Sequence, residues 1–517
     1  MTFKVKNRKL KRIFPVLLSF FIFQFSINAQ ISADLVITNA NVRTMDAKNP
    51  RADTIVVTGG RISAVGNKSK MQIAFGNKTD VIDAGGKLVL PGFNDAHVHF
   101  TTMGSQFFSV DLREAKTPSE IVEKIKFYVR FLPKGQWILG GGWNNSSWSP
   151  NDLPTKDLID SSTPDNPVFI YHANAKMVLV NSLALRLAQI GKTAKEITDG
   201  EIVRDATGAP VGILKNSAID LIKKFVPPFA TENKLAVAET ASNYAAAFGV
   251  TSVQDMSADD NTEIYLELAR RGRLKTRIYD CAGLSDWQKL AKNNVKKSSG
   301  DAMIRRGCLK GLADGDADST AKLYEEILAA DTAGLQIMVH AIGASANDQI
   351  LTIFERVIKA NGRKDRRFRV EHAHNFRPQD FRRFADSGII ASVQPFLFSK
   401  NSGKSFEPLR TLLANSATLA FGSDSSLIPV NPLFGIAAAV NANDPRQKIS
   451  VEEAVRFYTA GAAFAEFQEK EKGTITVGKL ADFVILSDDI FTMNPNEISK
   501  TRVLKTIVDG RVVFESK

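Results

Sequence analysis

The stretch Leu88-Val89-Leu90-Pro91-Gly92-Phe93-Asn94-Asp95-Ala96-His97-Val98-His99 is an apolar run that ends in two histidines separated by one residue. Its branched and aromatic side chains predict a buried strand. Further apolar runs predict seven more strands, at 249–255, 276–282, 306–313, 335–340, 367–372, 389–395 and 418–423. From the second run onward the starts lie about 20–35 residues apart, with helical patterns between them. Eight such strand–helix repeats predict an α/β fold, a (β/α)8 TIM-like barrel.

The remaining segments predict two additions to this barrel. The interval of about 105–240 is too long for one strand–helix unit and predicts a subdomain inserted after barrel strand 1. Residues 30–90 and 466–517 contain short strand patterns separated by glycine-rich turns, and each is too small to bury a core alone. We therefore expect both chain ends to form one small β-sandwich domain, with residues 91–465 as the barrel.

Residues 1–29 have the pattern of a secretory signal peptide. A basic start precedes a 13-residue apolar core from Ile13 to Phe25, and Ala29 is a small residue at the expected cleavage site. The core is shorter than the roughly 20 residues that a membrane span needs, although an uncleaved anchor remains the alternative. We expect a periplasmic or extracellular protein without stable membrane insertion.

The net charge of +12 does not indicate nucleic-acid binding. Six of these charges lie within residues 4–12, inside the expected leader, which leaves +6 for the rest of the chain. No dense basic run with interleaved aromatic residues follows.

The sequence contains only two cysteines, Cys281 and Cys308. They could form a single disulfide, but buried free thiols are the favoured interpretation.

Four of the six histidines fall at matching positions of separate predicted strands. His97 and His99 end the first strand, His340 ends the fifth and His372 ends the sixth, while Asp424 follows the eighth. The carboxyl ends of barrel strands converge on one mouth, and side chains two residues apart on a strand point to the same side. Imidazoles and a carboxylate suit a divalent cation such as Zn²⁺. The pattern predicts a metal site.

Lys310 lies on the fourth predicted strand, and two interpretations of it are open. It could extend its ammonium group to the surface. If it faces the barrel interior, an ammonium ion beside metal cations would be repelled and poorly solvated. Carbamylation by CO₂ would turn the side chain into an anion able to bridge two metals, which is the interpretation that we favour.

Several motifs resemble the amidohydrolase superfamily, in particular the branch that includes N-substituted formamide deformylases. The matching motifs are PGFNDAHVH (91–99), HAIG (340–343), EHAH (371–374), QP (394–395), GSD (422–424), GTI (473–475) and VGKLADFV (477–484). The resemblance implies that His97, His99 and Asp424 bind one metal, that His340 and His372 bind a second, and that carbamylated Lys310 bridges two Zn²⁺ ions. It also implies that a metal-activated hydroxide attacks the substrate carbonyl, with Asp424 carrying the proton to the leaving nitrogen. Ligation alone is the alternative role for Asp424.

Three further residues are candidates for substrate binding, each with a plainer alternative. Trp143 resembles a Gly-Trp element of the family and could instead belong to the subdomain core. Ala175-Lys176 stands where relatives commonly have Gly-His, so either Lys176 replaces a polar contact or the substrate differs, and an ordinary loop is the plainer alternative. His374 stands where relatives often have glutamine, and a position outside the pocket is equally consistent with the sequence.

Together these features predict a metal-dependent hydrolase of carbon–nitrogen bonds other than peptide bonds, acting on a small-molecule substrate. A monomer and a homodimer remain open. One alternative is a single-metal deacylase of the same superfamily, in which Lys310 is not carbamylated. The other is a degenerate barrel that only binds its ligand.

Overall fold

The computed structural model describes most of the chain beyond the expected leader. The described residues are 33–70, 75–130, 132–195, 197–227, 231–314, 316–399, 408–425 and 428–516. The predicted signal peptide, residues 1–29, lies outside them. Within these ranges, no helix combines the length and the apolar character that crossing a membrane requires.

Eight parallel strands form a nearly closed barrel, which confirms the predicted fold class. We number them β1 Phe93–Val98, β2 Val250–Ala258, β3 Arg277–Gly283, β4 Ile304–Leu312, β5 Gln336–Ile342, β6 Arg369–His374, β7 Ile390–Val393 and β8 Thr418–Phe421. Each strand pairs with the next one, and a bridge between Val98 and Ser425 joins the end of β1 to the segment after β8. The strands therefore bring their carboxyl ends to one mouth.

Helices cover the outside of the barrel. Phe100–Ser105 follows β1, and Thr231–Ala247 leads into β2. The connections that follow β2, β3, β4, β5 and β6 contain, in that order, Thr262–Arg270, Trp287–Lys292, Ala317–Thr332, Ala344–Asn361 and Phe381–Ser387. After β7 and β8 come Pro395–Ser399, Leu409–Ala414, Pro432–Val440, Val451–Arg456 and Ala462–Ala465. Their inward faces and the strands share one large core, since buried residues such as Leu309, Ile350 and Phe354 belong to the same apolar cluster.

A β-sandwich is built from both ends of the chain. One sheet contains, in spatial order, Arg61–Gly66, Thr54–Thr58, Ala33–Thr38 and Phe75–Asp83. The other contains Arg511–Glu515, Val503–Val508, Phe483–Leu486, Leu88–Pro91, Asn41–Arg43 and Arg51–Ala52. Residues of both sheets, among them Leu35, Val57, Phe483 and Ile507, pack into one buried core. Neither end could bury these side chains alone.

The junction between the sandwich and the barrel corrects one detail of the sequence interpretation. The run 88–99 is two strands, because Leu88–Pro91 pairs with Phe483–Leu486 in the sandwich and Phe93–Val98 is β1. Gly92 lies between them, and a Cβ there would meet the side chain of Thr251 at 2.2 Å. The chain can change sheets here because glycine leaves room for that close approach.

The insertion after β1 has its own sheet and core. Its strands, in spatial order, are Gly200–Arg204, Pro210–Asn216, Met177–Val180, Val168–His172, Ile138–Trp143 and Val110–Asp111. Its helices are Pro118–Val129, Lys156–Asp160, Ser182–Leu187 and Asp220–Lys223. Apolar clusters cover both faces of the sheet, so the insertion is a small α/β subdomain.

The favoured interpretation of the cysteines as free thiols is wrong in this structure. Cys281 on β3 and Cys308 on β4 form a disulfide, with their Cα atoms 4.6 Å apart. The two residues are register partners on neighbouring strands, and that proximity could not be read from a separation of 27 residues. The disulfide lies among Met256, Tyr279 and Met338.

A buried ion pair ties the barrel to the C-terminal segment and gives a stability prediction. Arg277 is 1% exposed and donates two hydrogen bonds to Asp482, of 2.7 and 2.8 Å. Arg277→Met should lower the free energy of unfolding by about 3–5 kcal/mol, because it leaves the Asp482 carboxylate buried without its partner. Arg61→Met, which breaks an exposed pair with Glu471, should cost less than about 1 kcal/mol. Urea unfolding measures both, and equal losses would contradict the prediction.

Candidate metal centre

The first and last barrel strands are joined where the candidate ligands lie. The backbone N–H of Asp424 donates to the carbonyl of His97 at 2.7 Å, and that of His99 donates to the carbonyl of Ser425 at 2.6 Å. The buried carboxylate of Asp95 accepts from the backbone N–H groups of His97 and Ser423, both at 3.0 Å. These bonds fix the two histidines and Asp424 against one another.

The side chains of His97, His99 and Asp424 have the spacing of metal ligands. Asp424 Oδ1 lies 3.6 Å from His97 Nε2 and 3.4 Å from His99 Nε2. Ligand atoms bound tetrahedrally at about 2.0–2.2 Å from an ion lie about 3.3–3.6 Å from each other. All three ligand atoms fall within 4.8 Å of one another. The structure therefore brings together the three residues predicted for the first metal.

The environment of His97 fits a metal ligand. Its ring is fully buried, and Nε2 has no hydrogen-bond partner among the described residues. Its Nδ1 lies 2.6 Å from Glu371 Oε2, and because a carboxylate only accepts, Nδ1 carries the proton. Nε2 therefore presents its lone pair. Burial and the charge of Lys310 lower the pKa of His97 to about 4, so the ring is neutral at neutral pH, as ligation requires.

The buried Arg369 forms an ion pair with the Glu371 carboxylate, on the oxygen that does not contact His97. Arg369 donates to Glu371 Oε1 at 2.7 Å and to the carbonyl of Ala96 at 2.6 Å, and also bonds Gln254 Oε1. Burial alone would raise the pKa of Glu371, but Arg369 and His97 hold it well below its usual range. The ionised Glu371 therefore fixes both the tautomer and the orientation of His97.

The residues predicted for a second metal lie next to the first group. The ring centroid of His372 is 4.8 Å from that of His97 and 4.4 Å from that of His340. Nδ1 of His372 donates to Gln394 Oε1 at 2.8 Å, which leaves Nε2 with its lone pair. Burial lowers the pKa of Lys310 to about 8. Burial is also the largest cause that lowers the pKa of His340 and of His372, and the charge of Lys310 adds to it.

Two candidate ligands have backbone conformations that residues other than glycine rarely adopt. The φ angle is +70° at His372 and +59° at Asp424, and Ala373 follows at +47°. Such conformations cost about 1–3 kcal/mol each and are typical of functional sites. Hydrogen bonds around these residues hold the strained backbone in place. The direction in which the side chains of His372 and Asp424 point therefore matters more here than local backbone stability.

The three predicted substrate contacts have different surroundings. Trp143 is fully buried in the core of the insertion, with Trp148 6.3 Å away between ring centroids, which favours the core interpretation. Lys176 is exposed in the turn between Val168–His172 and Met177–Val180. His374 ends β6 and is buried.

Sequence reasoning assigned no role to four residues that organise the centre. They are Asp95, Arg369, Glu371 and Gln394. Asp95, Glu371 and Gln394 belong to the motifs quoted above, so the sequence did contain an indication that these positions matter. Charged or amide side chains inside a predicted buried strand are costly unless paired, and that cost marks them as partners of other polar groups.

Glu371→Gln should weaken metal binding about 10–100-fold, because the amide no longer fixes the tautomer of His97 as a carboxylate does. Competition with a chromophoric chelator measures the affinity, and circular dichroism checks that the variant is folded. Glu267→Gln alters a partly exposed carboxylate that also accepts from arginines, and this variant should bind metal like the wild type. Unchanged affinity in Glu371→Gln would contradict the orienting role.

Known proteins resemble this chain over almost its whole length. The sequence matches the amidohydrolase family over residues 80–514. The protein LONG AFTER FAR-RED 3 of Arabidopsis thaliana is 33% identical, over 94% of this chain and 92% of that protein. An N-substituted formamide deformylase of Arthrobacter pascens is 28% identical, over 93% of this chain and 98% of the enzyme. A solved structure of an uncharacterized metal-dependent hydrolase from Pyrococcus furiosus has a TM-score of 0.71 at 25% identity, covering 89% of this chain and 100% of that one.

Proposed function

The chain belongs to the amidohydrolase family, and from this premise we propose that it hydrolyses the carbon–nitrogen bond of an N-acyl or N-formyl amine. The observation that carries the proposal is the group of His97, His99 and Asp424, in which a buried Nε2 has no hydrogen-bond partner among the described residues. The deformylase relative supports an amide of this type as the substrate.

The family and the donor set support a divalent metal, for which we propose Zn²⁺. His97, His99 and Asp424 would hold one ion, and His340 and His372, with carbamylated Lys310 as the bridge, would hold a second. A bound divalent ion supplies a lowered pKa for water and polarises the scissile carbonyl. Carbamylation needs the unprotonated amine, and the lowered pKa of Lys310, about 8, makes that form accessible.

Asp424 is the residue that we assign to proton transfer. Burial would raise its pKa, but His99 and His97 outweigh burial and keep the pKa below the ordinary value for aspartate. The carboxylate is therefore ionised at neutral pH and can accept a proton from the attacking water. When the carbon–nitrogen bond breaks, the same carboxyl group can return that proton to the leaving nitrogen, which departs as an amine.

Apolar side chains at the mouth support a substrate with an apolar substituent. Leu312 follows Lys310 by two residues on β4 and is 63% exposed, and Ile342 follows His340 by two residues on β5 and is 43% exposed. Large apolar groups that remain in water beside a polar centre are typical of ligand sites. An N-benzyl or N-alkyl group could contact Leu312 and Ile342 while the acyl carbon lies beside the metal-binding residues.

Metal analysis coupled to a substrate screen tests the proposal. We expect about two divalent ions per chain and turnover of N-formyl and N-acyl amines, with less turnover of peptides, lactams, carbamates and esters. The negative control is His97→Ala, which should be inactive. Wild-type turnover in this variant, or no turnover of any amide by the metal-loaded wild-type protein, would refute the proposed function.

One ion per chain would favour the single-metal deacylase. The observation that favours this alternative is that, among the described residues, only His97, His99 and Asp424 form a group of three histidine, cysteine or carboxylate ligands. His340 and His372 would need the carbamate of Lys310 to complete a second group. In that case the reaction class stays the same, and Lys310 serves as an amine or ammonium group near the substrate instead of a bridge.

We also propose that the mature protein works outside the cytosol. The leader pattern of residues 1–29 supports export, and so does the disulfide between Cys281 and Cys308, because such bonds persist mainly in oxidising compartments. Mass spectrometry of fractionated host cells should find a chain that begins near Gln30 in the exported fraction. A cytosolic chain that retains residues 1–29 would contradict this proposal.

A further inference from the structure

A cavity lies at the opposite end of the barrel from the metal centre. Its volume is about 620 Å³, within the range of roughly 300–1,000 Å³ that is common for small-molecule sites. The segment 363–368 before β6, Gly388 before β7 and Thr418 at the start of β8 all line it. The cavity is therefore at the amino ends of the strands, whereas barrel active sites lie at the carboxyl ends. The proposed reaction gives it no role.

The segment before β6 places four basic residues on the wall of this cavity, namely Arg363, Lys364, Arg366 and Arg367. Arg366 is only 7% exposed, and its Nε donates to Asp331 Oδ1 at 3.0 Å. Its Nη2 is buried and has no hydrogen-bond partner among the described residues. Leaving a buried donor on a charged group unpaired is costly, so this atom indicates a missing acceptor.

The acidic residues of the cavity do not supply that acceptor. Each lining carboxylate is paired with an arginine: Glu355 with Arg383, Asp386 with Arg382, and Asp365 with Arg367. Arg363 is exposed and forms no ion pair within the part of the chain that the structure describes. The cavity therefore keeps uncompensated positive charge at Arg363 and an unused donor at Arg366.

We propose that this cavity binds a small molecule that carries several oxyanion groups, either phosphates or carboxylates. The planar guanidinium group of Arg363 suits both kinds of oxyanion, because it can donate parallel hydrogen bonds to two oxygens. Arg366, whose Nε is bonded to Asp331, would add a single donor, Nη2. Ile358 and Phe464 line the same cavity, are partly exposed and would contact an apolar part of the ligand. The proposal does not depend on the reaction at the metal centre.

Isothermal titration of the metal-loaded protein tests this site, with pyrophosphate as the phosphate probe and citrate as the carboxylate probe. We expect one of them to bind with a stoichiometry of one per chain and with an affinity that falls as NaCl is raised. The probe that binds more tightly identifies the preferred oxyanion. If neither probe binds at low salt, the proposal is wrong.

Variants separate this cavity from the metal centre, which could also bind these anions. Arg363→Ala and Arg366→Gln should each weaken binding about tenfold or more, because each removes a charge-assisted hydrogen bond. Arg502→Ala, at an exposed arginine of the sandwich, and His97→Ala should leave the affinity unchanged. Arg363 is exposed, so its variant remains informative even if Arg366→Gln fails to fold. Full affinity in Arg363→Ala, or loss of affinity in His97→Ala, would overturn the proposal.

Discussion

Asp424→Asn is expected to abolish turnover while much of the metal stays bound. The amide oxygen of asparagine can still serve as a neutral ligand at the position that is 3.4 Å from His99 Nε2, but it cannot accept a proton from water. Proton transfer by a positioned side chain contributes about 10²–10⁴-fold to enzymatic rates, so kcat should fall by at least about 10²-fold. Steady-state kinetics and metal analysis of the same sample measure the two effects.

A matched carboxylate at the same end of the barrel provides the control. Asp314 follows β4 as Asp424 follows β8, but it is exposed and accepts from Asp316 N–H and Ser319 Oγ. Asp314→Asn should keep turnover near the wild-type value. If Asp424→Asn also keeps near-wild-type turnover, Asp424 is at most a ligand and the proposed proton transfer is wrong.

Lys310→Ala should reduce the metal content from about two ions per chain to about one and should lower kcat by roughly 10²–10³-fold. The second ion is lost because the bridging anion is absent, and the carbonyl then loses one stabilising charge. Acetate should restore part of the activity, since the truncated side chain leaves space in which a small carboxylate can replace the carbamate. Lys322→Ala, on the exposed face of the following helix, should have no effect.

The pH dependence of metal loading gives this prediction a second readout. The neutral amine of Lys310 increases as the pH rises toward its pKa of about 8, and only that form reacts with CO₂. Reconstitution of metal-free protein with zinc and bicarbonate should therefore become faster between about pH 6 and 8. If the rate does not depend on bicarbonate and Lys310→Ala retains nearly full turnover, the single-metal alternative is correct.

The barrel could be predicted from the sequence because each buried parallel strand is an apolar run of recognisable length. The histidines at the ends of those runs then located the centre, since the carboxyl ends of the strands meet at one mouth. The division of run 88–99 into two strands escaped prediction because both halves are apolar. The strand pairing in the structure reveals that the chain changes sheets there, at Gly92 beside Thr251.

The rest of the site depends on contacts between residues far apart in the chain. Glu371 orients His97 across 274 residues, and spacing along the sequence carries no information on such a pair. The disulfide between Cys281 and Cys308 follows from the register of β3 and β4 in the same way. Trp143 had two interpretations because an aromatic residue suits both a core and a pocket, and only its burial separates them.

Anomalous diffraction from crystals of the zinc-loaded protein tests the central claim most directly. The account predicts a zinc peak within about 2.0–2.2 Å of His97 Nε2, His99 Nε2 and an Asp424 carboxylate oxygen. A second peak near His340 and His372 would support the two-metal arrangement, and its absence would support the single-metal one. Full zinc occupancy elsewhere, with no peak between His97, His99 and Asp424, would contradict the proposed metal centre.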